Sequence, residues 1–344
     1  MKTTVHQAVN ALQHQGKDAL QQSEIREQCL FEHISSAISR LSPGDADLFR
    51  NAFQQEEVCY ANSWLYTLRS TRDDLGEAGY KFVGNKTLMG IGYRHNTIYL
   101  VHPVGTGRFE ATLELCLSMR DRLQSPLILK KIDPALYKYL YATGLFCETN
   151  EGLTLLEEEA FPEHILQLEE LYAPQTGRYS QSIPFIKKVK RFEKGAMKLQ
   201  AIPTISGIES NSGFHTLFGH DPDKYRSYRQ MIREVCLPGG SGSRYTVCAY
   251  YDEQAIVQGL YIGEHLKGDH MGLYCAVSAK SFPGITEWMD YDFFQRLLQQ
   301  GVCSLHLGGS ETRGVHDYVQ KLLPGTPPYC IRPMRMIEEN VFQL

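Results

Sequence analysis

The residues with the most chemistry in this 344-residue chain gather in its last third. Glu264, Asp269, His270, Glu287, Asp290, Tyr291, His306, Ser310, Glu311 and Arg313 fall within fifty positions. His306, flanked by Leu305 and Leu307, reads as a strand residue and a base that works near neutral pH; the alternative is a core histidine with its ring hydrogen-bonded. Glu287 either holds a cationic substrate or favours a helix N-terminus. Strand alternation and a helix start would bring several of these groups into one cleft. There His306, Glu287 and Glu311 are the catalytic candidates, and Glu264, Asp290, Tyr291, Ser310 and Arg313 the substrate-binding ones.

Two further patterns carry charge logic. Gly105-Thr106-Gly107-Arg108 sits between a strand and a helix, where glycines let a backbone approach a phosphate and Arg108 adds charge; a turn that needs glycine for its dihedrals looks the same. Lys187, Lys188, Lys190 and Arg191, with Lys194 and Lys198 beyond and Phe185 and Phe192 interleaved, form a basic stripe on a helix, fit for nucleic acid or phosphates. A solvated face balanced by Glu157–Glu159 and Glu169-Glu170 is the plainer reading. Metal chemistry is not expected. His215 and His220, like His265 and His270, have the wrong helical spacing, and no H-E-x-x-H, G-x-S-x-G or Walker sequence occurs.

The elements that would position these groups repeat. Thr97–Val101 is a strand, the glycine turn follows, then a helix over 108–123 and a buried strand at Pro126–Leu129. Later, 255–263 and 272–277 read as strands. Ser281–Gly284 turns into a helix capped by Thr286 and stopped at Gly301, and Val302–Leu307 is a strand. A Gly-Gly turn, a helix at 315–323 and a strand at 329–331 would close the chain. Residues 5–41 show helical spacing, giving two N-terminal amphipathic helices, and Asp45 is a plausible cap for the next helix. The expectation is a mixed α/β (α+β-like) fold of two domains: residues 1–150 with the N-terminal helices, and 151–344 with connecting helices.

Composition narrows the class. The chain is 42% hydrophobic with formal net charge −4, so nucleic-acid binding would need a local patch. Nine cysteines, an odd number with no C-x-x-C pair, suit buried free thiols in a reducing compartment. The start, MKTTVHQAVNALQHQG, lacks a signal-peptide core, and no apolar run reaches membrane-span length. A soluble, cytoplasmic protein is expected.

Tyr60-Ala61-Asn62-Ser63-Trp64-Leu65-Tyr66, Tyr99-Leu100-Val101-His102-Pro103-Val104-Gly105 and Leu127-Ile128-Leu129-Lys130-Lys131 together resemble the soluble relatives of the phosphatidylglycerol lysyltransferase C-terminal domain. Leu168–Leu171, Gly177-Arg178-Tyr179 and Lys187–Phe192 resemble that family's crossing segment between halves. Leu307-Gly308-Gly309-Ser310 with Gly314 and Lys321–Pro324 is similar to its closing motif. The resemblance implies two tandem GNAT (N-acetyltransferase-like) domains, each a mixed sheet flanked by helices. It implies an acyltransferase that moves an aminoacyl or acyl group from aminoacyl-tRNA or acyl-CoA to an amine or amino-acid acceptor, with no tightly bound cofactor. It places Gly105, Gly107 and Arg108 as the cofactor-binding turn and the basic stripe as a tRNA contact. A catalytically inert binding or scaffold protein that keeps the fold is the alternative.

Overall fold

The computed structural model describes residue 31 and residues 34–123, 125–148, 164–172, 183–219, 222–237, 244–308 and 334–336. The first half runs β1 (Ile38–Arg40), α1 (Ala46–Phe53), α2 (Trp64–Thr71), β2 (Tyr80–Gly84), β3 (Thr87–Arg94), β4 (Thr97–Val104), α3 (Arg108–Leu123), β5 (Leu127–Lys130), α4 (Pro134–Ala142) and β6 (Phe146–Glu148). The second runs β7 (Ile165–Gln167), α5 (Leu168–Tyr172), α6 (Ile183–Glu193), β8 (Gln200–Ile202), α7 (Phe214–Leu217), α8 (Pro222–Cys236), β9 (Tyr245–Tyr251), β10 (Val257–His265), β11 (His270–Ser278), α9 (Ile285–Gln299) and β12 (Ser304–His306). A last strand, β13 (Met334–Met336), follows.

Two mixed sheets result. The first has seven strands in the order β1-β2-β3-β4-β5-β13-β6, the second six in the order β7-β12-β11-β10-β9-β8. The halves repeat one plan. Three antiparallel strands (β2-β3-β4, β9-β10-β11) lead through a helix (α3, α9) to a strand parallel to the third, so β5 pairs β4 and β12 pairs β11 in parallel. The helix is the crossover that a parallel pair requires. Strand β13 returns from the end of the chain to lie between β5 and β6, so residues 151–344 are not confined to the second sheet.

Alternation along β4 and β5 sorts the cores. Ile98, Leu100, Leu127 and Leu129 pack with Leu115, Cys116 and Met119 of α3. Their neighbours Tyr99, Val101 and Ile128 face the other way, into a cluster that also holds Leu65 and Tyr66 of α2, Met231 and Ile232 of α8, and Leu260 and Ile262 of β10. One core therefore belongs to both halves. Leu305 of β12 lies in a separate core with Phe293 and Leu297 of α9 and Phe185, Val189 and Phe192 of α6.

Several sequence expectations need adjustment. Ile38–Arg40 pairs with β2 as an edge strand, where helical spacing predicts a helix. Asp45 turns its carboxylate to Ser42 and Lys81 and makes no side-chain cap on α1. Gly284, with φ 86°, precedes α9 as its cap, and Thr286 lies inside the helix, its hydroxyl on Ser278. Residues 1–30 and the elements expected at 315–323 and 329–331 lie outside the described residues. Of the cysteines described, seven are free, and Cys59, Cys116, Cys248 and Cys275 are buried.

Candidate functional site at the junction of the halves

Each parallel pair parts at its C-terminal end, the kind of crevice in which open α/β sheets bind ligands. In the first half the last pair is Val101↔Lys130. The next residue on each strand, His102 (φ 47°) and Lys131 (φ 55°), takes the left-handed conformation that non-glycine residues avoid. Such backbone costs about 1–3 kcal/mol per residue and persists only where neighbours hold it. The holding contacts are on the His102 ring: Nδ1 lies 2.9 Å from the Lys131 carbonyl, and Nε2 lies 2.5 Å from Asn62 Oδ1. The ammonium groups of Lys130 and Lys131 are buried among aromatic rings. Lys130 Nζ is 4.9 Å from the Tyr99 centroid, and Lys131 Nζ is 5.8 and 6.0 Å from those of Tyr60 and Tyr66.

In the second half the last pair is Gly272↔His306, and the opening beyond it is filled from the first half. Tyr60 donates its hydroxyl to the Leu273 carbonyl at 3.1 Å, while Tyr274 donates to the Tyr60 carbonyl at 2.7 Å, with the rings 4.5 Å apart. Gly308 (φ 71°) lies so close that a Cβ there would fall 2.7 Å from the Tyr60 ring.

Beside this contact Glu264 crosses from β10 to the N-terminus of α2. Its carboxylate accepts from Ser63 Oγ (2.6 Å), Leu65 N (2.9 Å) and Trp64 N (3.3 Å), and Arg50 Nε lies 3.5 Å away. A carboxylate suits the positive end of a helix. Its complete burial nevertheless pushes its pKa up, the hydrogen bonds and Arg50 only partly offsetting the loss of water. Arg50 also donates to the Tyr245 hydroxyl, which donates to Glu234 at 3.0 Å. Glu264 thus serves as an anchor between the halves.

The other expected site residues divide between the two faces of the second sheet, where the sequence suggested one cleft. Glu287 and Asp290 lie on the α9 side. Lys188 of the basic stripe reaches Glu287 at 2.5 Å, and Tyr261 donates to Asp290 at 2.6 Å. The Tyr291 carbonyl accepts from the Tyr172 hydroxyl, and the two rings lie 5.2 Å apart, tilted by 58°. His306 points away from Leu305, toward the opposite face, and is 1% exposed. Its Nε2 is 2.9 Å from His270 Nδ1, and its Nδ1 has no partner among the described residues. Burial, and then the charge of His270, pulls the His306 pKa down to about 4. Ser310, Glu311 and Arg313 lie outside the described residues.

The glycine turn is engaged within the protein. Gly105 N–H donates to Glu56 (3.0 Å), Gly107 N–H points to the Lys86 carbonyl (3.4 Å), and Arg108 pairs with Asp133 (2.9 Å). A Cβ on Gly107 would meet the Asn85 carbonyl at 1.8 Å, so the glycines let the β2–β3 hairpin pack against the turn. On α6, Phe185, Val189 and Phe192 are buried, while Lys187, Lys188, Lys190 and Arg191 are exposed. Among the described residues no group of three His, Cys, Asp or Glu can hold a metal ion, and no helix is long and apolar enough to cross a membrane.

Tyr60, Asn62, His102, Lys130 and Lys131 lie in the segments that carry the resemblance, yet no motif or spacing marks them as site residues. The available signal was the pair of lysines directly after the apolar Leu127-Ile128-Leu129, a costly place for charge unless it has a task.

No protein-family profile matches the sequence, and neither does any curated protein. Solved structures match its fold. A conserved protein of unknown function from Bacteroides thetaiotaomicron superposes with TM-score 0.63 at 13% identity, covering 88% of this chain and 99% of that one. The C-terminal domain (DUF2156) of a putative lysylphosphatidylglycerol synthetase from Agrobacterium fabrum gives 0.55 at 10% identity, covering 87% and 94%. A tandem GNAT protein from the clavulanic acid biosynthesis pathway gives 0.50 at 11%, covering 88% and 98%. The chain has the tandem GNAT fold, two mixed sheets each flanked by helices.

Proposed function

We propose that this protein is an acyltransferase that joins an aminoacyl or acyl group to an amine at the junction of its halves. The observation that carries the reading is the opening of the β4–β5 pair, with His102, Lys130 and Lys131 at its end and Tyr60 as its wall. Cationic groups in such a dry setting favour the oxyanion that forms when an amine attacks an ester or thioester carbonyl. The amine must also lose a proton. His306, neutral at pH 7 and hydrogen-bonded to the part-exposed His270, is the candidate base carried by the second half.

Of the two donors, aminoacyl-tRNA has the stronger support. The helix N-terminus that would hold a CoA pyrophosphate is engaged in the first half by Glu56 and the hairpin carbonyls. In the second half the start of α9 carries Glu287 with Lys188, and the Lys188 carbonyl lies where a Gly284 Cβ would project. The exposed Lys187, Lys190 and Arg191 offer phosphate contacts. In this reading Glu264 orders the junction, and Asp290 and Tyr291 shape the α9 face.

Native mass spectrometry with CoA and with bulk tRNA tests the choice. A tRNA complex that dissolves as salt rises supports aminoacyl transfer. A retained CoA-sized mass overturns it in favour of acyl-CoA, and binding of neither points to a scaffold.

A further inference from the structure

His102 has two ring nitrogens and, within 2.9 Å of them, two acceptors. The Lys131 carbonyl faces Nδ1 and can only accept. Asn62 faces Nε2 with Oδ1, and its amide orientation is fixed from behind, because Asn62 Nδ2 donates to the Glu57 carbonyl. Turning the amide over would set Nδ2 against His102 and oppose Oδ1 to that carbonyl. A neutral imidazole has one N–H to give. Both contacts are satisfied together only by an imidazolium.

We infer that His102 carries a proton on both ring nitrogens in the folded protein and acts as a charged brace that sets the width of the β4–β5 opening. The brace ties three segments: the loop before α2 through Asn62, β4 through His102 itself, and the end of β5 through Lys131. It also holds the left-handed backbone at residues 102 and 131, which no local preference supports.

Of the charged groups on the surrounding elements, the Glu56 carboxylate favours the second proton and the ammonium groups of Lys130 and Lys131 oppose it, so the two hydrogen bonds are what hold it. The loop before α2 brings Glu56, whose carboxylate holds Gly105 N–H three residues beyond His102, together with Glu57, Cys59 and Tyr60. α1 presents the uncharged Phe53 ring, 5.7 Å from the imidazole. β5 and its end bring Lys130 and Lys131, whose ammonium groups lie over the rings of Tyr99, Tyr60 and Tyr66. Arg108, at the start of α3, is paired with Asp133.

The inference rests on the β4–β5 opening as the candidate site and changes what that site offers. His102 is a positioning residue and a fixed positive charge, so it is unavailable as the base. Removing its second proton must break one of the two contacts, which makes the width of the opening pH-dependent.

The test is nitrogen NMR of protein labelled with 15N-histidine, on the full chain without any substrate. The wild type should show two protonated ring nitrogens for His102 at pH 7.5. The signal is assigned by its loss in His102→Gln, or from the backbone amide of His102 if that variant does not fold. Asn62→Asp should hold the second proton to higher pH, and Asn62→Leu should release it. One protonated and one bare nitrogen on wild-type His102 at pH 7.5 would overturn the inference. The spectrum reports on His102 alone, so its outcome is separable from whether the protein transfers acyl groups.

Discussion

Tyr60 and Tyr274, 214 residues apart in the chain, clasp each other: the Tyr274 hydroxyl binds the Tyr60 carbonyl, and the Tyr60 hydroxyl binds the carbonyl beside Tyr274. The clasp closes the second opening and joins the two sheets through a core they share. Tyr60→Phe and Tyr274→Phe each leave a buried carbonyl without its donor, so each should lower unfolding stability by about 1–3 kcal/mol. Because the residues touch, the double variant should lose less than the two separate losses combined. Urea unfolding of the four proteins checks this, and strict additivity would show that the clasp does not couple the halves.

Glu264 gives a pH signature. Burial raises its pKa in the folded protein above the ordinary 4.5, so the folded state holds the proton more tightly than the unfolded chain. Stability from this group is greatest below pH 4.5 and declines as pH rises through the raised value. Glu264→Gln lacks that titration. The stability difference between wild type and Glu264→Gln should therefore move in favour of the wild type as pH falls from 7 toward 4.5. A difference constant across that range would mean that Glu264 is not desolvated as its position requires.

The buried His306 has the opposite sign. Its pKa falls from 6.5 to about 4 on folding, so the unfolded chain binds its proton first. The stability this contributes is complete above pH 6.5 and is lost as pH falls toward 4, a total of about 3 kcal/mol at roughly 1.36 kcal/mol per pKa unit. His306→Gln should flatten that part of the profile in urea titrations. An unchanged slope would place the titration elsewhere.

Gly107 separates packing from phosphate binding. With the Asn85 carbonyl 1.8 Å from the position of a Cβ, Gly107→Ala must push the hairpin away. Overpacking of this kind costs about 1–3 kcal/mol. The expected result is a lower unfolding midpoint; normal stability would show that the turn is looser than its contacts imply.

The elements legible in the sequence are those whose signal is local. The span predicted for the helix at 108–123 matches α3, and β11 and α9 emerge close to their predicted places, because a long apolar face repeats at the helical or strand period. Short strands are a different case. Ile38–Arg40 and Met334–Met336 have three residues each, too few to show a period, and their partners lie elsewhere in the chain. The site follows the same rule. Glu264, Asp290 and His306 are visible as polar residues in apolar surroundings, but the sheet that separates Glu264 from Asp290 is not. Nor does any sequence pattern announce that His102 adopts positive φ, or that Tyr60 reaches into the other half, since both depend on contacts between distant segments.

The most direct test of acyl transfer at the junction is a radiolabel assay. The purified protein is incubated with a mixed pool of 14C-aminoacyl-tRNA and a panel of amines and amino acids, beside a variant carrying Lys187→Ala, Lys188→Ala, Lys190→Ala and Arg191→Ala. The account predicts label moving from tRNA to an amine with the wild type, with the variant folded but weakened in a salt-dependent way. No transfer from aminoacyl-tRNA, together with transfer from acyl-CoA that the four substitutions leave unchanged, would contradict it.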